Sequence, residues 1–186
     1  MTNGLVVMTP SSVDKTGASS TATINADGSV TFGSCATLSL NGVFTGDYDN
    51  YMVTIRHKHD TLTSAANHIR FRDNGIDNNT TNSYTYQLLA VGGTSITVER
   101  RTGNYAYYDA SSNVRRDGTT LYIFGPALAQ PTAFRPVTVQ GFDAARIYTW
   151  AGTHNQSVSY DGFTITADNN SGTTISGLLT VFGFNQ

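Results

Sequence analysis

The sequence predicts an all-β chain: an antiparallel two-sheet β-sandwich of jelly-roll or concanavalin-A-like type, with a short N-terminal arm. Three observations carry that prediction. Short runs rich in Val, Ile, Thr, Tyr and Phe recur at ~10–15-residue spacing. Turn-forming dipeptides separate them. No segment repeats apolar residues at i, i+3, i+4 and i+7 over three turns, so no long amphipathic helix is expected. A closed barrel fits the same spacing and stays open as an alternative.

The elements follow in chain order. "TATINADGSVTF" (21–32) reads as two strands around Asp27-Gly28, a hairpin dipeptide. "ATLSLNGVF" (36–44) sets Leu38 and Leu40 on one face. "GDYDN" (46–50) is a turn that launches "YMVTIRH" (51–57), where Tyr51, Val53 and Ile55 alternate with Met52, Thr54 and Arg56. "HIRFRD" (68–73) turns Ile69 and Phe71 inward, with His68, Arg70 and Arg72 outward. "SYTYQLLA" (83–90) and "TSITVER" (94–100) flank Gly92-Gly93, a second hairpin signal. "TLYIFG" (120–125) follows a turn at Asp117-Gly118. "RPVTVQGF" (135–142), "RIYTWAG" (146–152), "SVSYDGFTITAD" (157–168) and "TISGLLTVFGF" (174–184) complete the set. "GFDAARI" (141–147) has room for one helical turn, and "DNGIDNNTTNS" (73–83) is a polar loop.

Residues 1–20 read as the arm and residues 21–186 as one sandwich domain. The arm's apolar patch, Leu5, Val6, Val7 and Met8, is a candidate anchor to a partner protein, since an apolar strand can add to a neighbour's sheet. The competing reading makes it the first strand of its own sandwich.

Composition narrows the function classes. Charged residues form 13% of the 186, against the ~25% of ordinary soluble domains. The net charge of −2 carries no basic surface for nucleic acid. No apolar run approaches the ~20 residues of a membrane-spanning helix, and the N-terminus does not read as a signal peptide. Cys35 is the only cysteine, so no intramolecular disulfide forms, and its place beside a strand suits a small buried residue.

No motif argues for an enzyme. His57 and His59 lie at i, i+2, and read as solvent-facing strand residues rather than metal ligands. Glu99 is the only glutamate, and the aspartates sit mostly in turn contexts, so a glycosidase carboxylate pair is not expected. A nucleophile elbow, a P-loop and a dinucleotide fingerprint are all missing from the sequence. No cofactor is expected. The better lead is "TGNYAYYDASSN" (102–113), where Tyr105, Tyr107 and Tyr108 are candidate contacts for a glycan or protein partner. Alternation alone would instead turn Tyr105 and Tyr107 to the core and leave Tyr108 exposed.

Several quoted stretches carry a resemblance. "GSVTF", "LSLNGVFTGDYDNYMVTIR" and "IRFRDNGIDNNTTNSYTYQLL" are followed by "YIFGPALAQPTAFRPVTVQ", "SYDGFTI" and "SGLLTVFGF". Together they resemble β-sandwich structural proteins of tailed bacteriophages, notably T7-like cyanophages. The matching features are Phe44, Tyr48 to Tyr51, Ile69 to Arg72 with Gly75, and Ser83 to Gln87. The resemblance runs from about residue 20 onward. It implies a non-enzymatic virion role, made in the host cytoplasm and carried on the virion surface. A capsid decoration, knob or head-fibre protein is the first expectation. A tail-fibre receptor-binding or glycan-binding adhesin domain is the alternative. The implied partners are the major capsid protein or other virion proteins, a host surface glycan, and further copies of the chain in a homo-oligomer such as a trimer.

Overall fold

The computed structural model describes residues 4–61, 66–109, 116–141, 146–167 and 172–185. Of the stretch 141–147, expected to have room for one helical turn, residues 142–145 lie outside them, and Arg146 and Ile147 belong to a strand. Among the described residues there is no helix, and sixteen strands run in chain order. They are β1 (Val6–Val7), β2 (Ser12–Thr16), β3 (Thr21–Ile24), β4 (Val30–Cys35), β5 (Thr37–Asn41), β6 (Asn50–His59), β7 (Asn67–Asp73) and β8 (Ile76–Asp77). Then come β9 (Tyr84–Gly92), β10 (Ser95–Gly103), β11 (Ala106–Asp109), β12 (Asp117–Phe124), β13 (Thr132–Val139), β14 (Arg146–His154), β15 (Gly162–Thr166) and β16 (Ile175–Phe184).

All pairings are antiparallel, and they build two sheets packed face to face as a β-sandwich. The larger sheet runs β10-β9-β14-β13-β12-β6-β16-β4-β3, with β1 also on β16. The smaller runs β11-β7-β15-β5-β2, with β8 on β7. Within the expected arm, β1 pairs Val6 with Gly183 and Val7 with Phe182, while β2 pairs along the whole of β5. Each sheet therefore takes one strand from the first twenty residues.

Period-two alternation supplies the core. Tyr51, Val53 and Ile55 of β6, Leu121 and Ile123 of β12, Tyr84 and Tyr86 of β9, and Trp150 of β14 face inward from the large sheet. Leu38, Leu40, Ile69, Phe71, Phe163 and Ile165 meet them from the small one. Fully burying each such side chain is worth roughly 1.5–3 kcal/mol, which is what holds the two layers together. Phe44 stacks on Phe163 at 5.7 Å and tilts against Tyr51 at 4.8 Å, closing one end of that core. Cys35 is buried.

The turns form where their residues require them. Gly28 (φ +82°) reverses the chain between β3 and β4. Asp27 Oδ1 accepts the Ser29 N–H (3.0 Å) and hydroxyl (2.6 Å), which holds the Asp27 carboxyl below its ordinary pKa. The turn at 46–50 launches β6, and Tyr51 anchors it from inside: its hydroxyl donates to Thr45 O and accepts from Thr45 N–H, both at 2.7 Å. Asp117-Gly118 is not a turn. Both residues open β12, and Gly118 pairs with Arg56 and Val139.

Candidate functional site

A polar layer lies between the sheets at the end of β6. β6 continues past Ile55, and the alternation carries His57 and His59 inward with Tyr51, Val53 and Ile55. Both are about 1% exposed, so the solvent-facing reading of these histidines is corrected. From the small sheet, β7 opens with the fully buried Asn67. A bulge supplies a further group: Tyr107 pairs with His68 and Asp109 with Asn67, leaving Tyr108 as the extra residue. Tyr108 and Asp109 consequently both point inside at 0% exposure, which strict alternation forbids.

One assignment of hydrogens accounts for the contacts. His59 Nε2–H donates to Asn67 Oδ1 (2.9 Å), so Asn67 Nδ2 is left to donate to Asp109 Oδ2 (3.1 Å). His57 Nε2–H donates to the same Asp109 oxygen at 3.0 Å. The His57 Nε2 to Asn67 Nδ2 approach of 3.0 Å follows from that shared acceptor, since two N–H groups cannot bond one another. Asp117 on β12 accepts the Gly141 N–H at 2.8 Å.

The layer thus joins β6 of one sheet to β7 and β11 of the other. His57, Asp109 and Asp117 also bring ligand-type atoms within 4.8 Å of one another, a set that could hold a metal ion. Two of its members, His57 and Asp109, are also the partners of the inter-sheet hydrogen bond. The strand periodicity of 51, 53, 55 was the signal for His57 and His59; nothing in the sequence marked the bulge that turns Asp109 inward.

The tyrosine candidates part company. Tyr108 is sealed in the core beside His57, and burial, then the Asp109 and Asp117 carboxylates, push its hydroxyl well above the ordinary pKa. Its face is closed to a partner, which reverses the alternation reading for this segment. Tyr105 and Tyr107 are half-buried and line a groove of about 230 Å³ with Tyr86, Arg101 and Asn104. Their ring faces are largely taken: His68 stacks on Tyr105 at 4.0 Å, and the Arg101 guanidinium lies 4.7 Å over Tyr107. Arg101 is itself held by Glu99 through two bonds of 2.7 and 2.9 Å. His68 and Arg72, expected outward, do face away from Ile69 and Phe71 but are 8% and 6% exposed. Tyr105 covers the first, while Gly75 O and Thr164 bind the guanidinium of the second.

Two further surfaces stand out. Of the candidate anchor, Leu5 and Val7 remain exposed (53% and 39%), while the β1 backbone and the Met8 N–H are bonded to β16. On the outer face of the large sheet, Ile96 opposes Val91, Val91 opposes Ile147 and Ile147 opposes Val139. That exposed apolar row crosses four strands, with Val98 and Leu89 paired beside it.

Among the described residues no helix is long and apolar enough to cross a membrane. Neither a protein-family model nor a curated protein matches the chain.

Proposed function

We propose that the chain is a non-enzymatic virion structural protein that binds an assembled phage shell as a decoration, knob or head-fibre protein. The observation that carries this reading is the apolar row Ile96, Val91, Ile147 and Val139 on the outer face of the large sheet. Isolated exposed apolar side chains are ordinary, whereas a contiguous row across four strands of one sheet face suits a surface that meets a partner. The low charge of the chain and its resemblance to phage β-sandwich proteins support the same reading. Leu5 and Val7, exposed beside β16, are a second candidate contact with the shell.

Co-sedimentation with undecorated capsids of the encoding phage tests it. Wild type should co-sediment. Ile147→Lys with Val139→Lys should abolish binding if the sheet face docks, and Leu5→Lys with Val7→Lys if the N-terminal segment does. These point changes are preferable to deleting residues 1–20, which would strip a strand from each sheet. Capsids that leave wild type in the supernatant would end the decoration reading.

One observation favours a second reading, a glycan-binding adhesin: the groove of Tyr86, Tyr105 and Tyr107 with Arg101 and Asn104 combines aromatic surface with polar groups. A glycan array with wild type and a Tyr105→Ala, Tyr107→Ala variant tests this. Binding lost in the variant supports it, and a silent array with wild type removes it.

A further inference from the structure

We propose that two copies of this chain pair edge to edge through β10, antiparallel, about a two-fold axis at Thr97. This contact is independent of any shell. β10 ends the large sheet, and among the described residues no strand lies along one side of its backbone. Every residue from Ser95 to Arg100 is exposed, with Ile96 at 71% and Val98 at 75%, so neither face of this stretch is covered.

Exposed strand edges invite pairing, and proteins normally blunt them by shortness, charge, proline or a bulge. The other sheet edges here follow that rule. β3 and β11 have four residues each, β11 is bulged, and β2 carries Asp14 and Lys15 among its five residues. β10 has nine residues, no proline and an unbroken register with β9 from Ser95 to Gly103. Its charges, Glu99, Arg100 and Arg101, sit only in the second half. The unguarded part is Ser95 to Val98.

The hairpin fixes which groups face outward. Gly93 and Thr94 make its two-residue turn, with the positive φ at Gly93 alone (+60°), as a type II′ turn has it. The closing pair Gly92–Ser95 is hydrogen-bonded in such a turn, and bonding alternates along the ladder. The N–H and C=O groups of Ile96, Val98 and Arg100 therefore point to the free edge.

A perpendicular two-fold axis keeps each sheet face on its own side, so directly opposed residues must share a face. Centred on Thr97, the pairing sets Ile96 against the second copy's Val98, twice over. It also sets Ser95 against Glu99 and Thr94 against Arg100, so no like charges meet. Centring on Val98 would place Ile96 against Arg100, and centring on Glu99 would oppose two glutamates. The Thr97 register alone matches β-branched apolar residues on both sides of the axis, and it continues the apolar row of one copy into Val98 and Leu89 of the other. One strand pair is a small interface, so association should fall in the micromolar range.

Sedimentation velocity of the full chain over a concentration series is the first test, and mass should rise from monomer to dimer. Val98→Lys, at a position already exposed, should keep the folded spectrum and weaken dimerisation by about tenfold. Thr97→Cys should cross-link to a covalent dimer on mild oxidation. The axis makes it a non-hydrogen-bonded pair with Cα atoms ~4.5 Å apart, within disulfide reach. Glu99→Cys should not cross-link, because its symmetry mate lies four residues along the strand. A chain that stays monomeric at every concentration, a trimer indifferent to Val98→Lys, or cross-linking through Glu99→Cys but not Thr97→Cys would each overturn the proposal.

Discussion

His57 and Asp109 meet at 3.0 Å between the two sheets, one from β6 and the other from a bulged β11, and both are fully buried. The pair works as a tie, because β6 and β11 belong to different layers and share no ladder. A buried hydrogen bond of this type fixes how the layers align while the surrounding apolar contacts supply most of the free energy.

Removing one end of the tie should be costly. His57→Ala takes away a donor to the Asp109 carboxylate and opens a cavity beside Tyr108. We expect a loss of about 3 kcal/mol, read from urea unfolding at pH 7. Asp109→Asn should cost less, since an amide oxygen can still accept from His57. Equal losses in the two variants would argue that packing alone decides stability here.

His57 and Asp109, together with Asp117, also form the set that could ligate a metal. If the hydrogen bonds are the working arrangement, exhaustive dialysis against a chelator leaves Tm unchanged and added Zn²⁺ or Ca²⁺ does not raise it. A drop of several degrees on chelation, restored by one ion, would reassign His57, Asp109 and Asp117 as its ligands.

His154 should make stability pH-dependent. Burial against Tyr84 lowers its pKa from 6.5 to about 4, with Tyr160 hydrogen-bonded to Nε2 at 2.6 Å. The unfolded chain takes up this proton near pH 6.5, and the folded chain only near pH 4. Between those limits the unfolded state binds more protons, so stability falls as pH drops through the window, by about 2–3 kcal/mol at the acid end. His154→Gln should flatten that part of the profile. A urea midpoint that declines equally in wild type and variant would assign the effect to other groups.

Tyr51→Phe isolates the anchor under the 46–50 turn. It keeps the aromatic packing on Phe44 and removes only the hydroxyl that bonds both Thr45 N–H and Thr45 O. The expected cost is about 1–2 kcal/mol, with amide exchange at Thr45 accelerated. An unchanged exchange rate would show that the turn is held by other contacts.

Much of this architecture was legible from local chemistry. The hairpin at Asp27-Gly28, the hairpin signalled by Gly92-Gly93 (its turn one residue on, at Gly93-Thr94), the turn before β6, and the inward sets Tyr51, Val53, Ile55 and Ile69, Phe71 all follow from turn residues and a period of two. His57 and His59 were legible as well, because counting by two from Tyr51 reaches both. Residue type suggested a wet face, but a strand's phase does not change when its side chains become polar.

The sequence by itself determined the class of fold, because a β-strand's alternation is a property of the backbone that any window of residues displays. Only the tertiary structure decided which polar groups are buried, which tyrosine is sealed and which strand is left at an edge. A bulge at Tyr108 inverts the phase for one residue without a signature of its own. The burial of His68 and Arg72 depends on what folds over them from Tyr105 and from the loop at Gly75. The exposure of Ser95 to Arg100 depends on β11 meeting β10 only farther along, where Tyr107 packs on Arg101. Each is a contact between segments distant along the chain, and no local pattern encodes it.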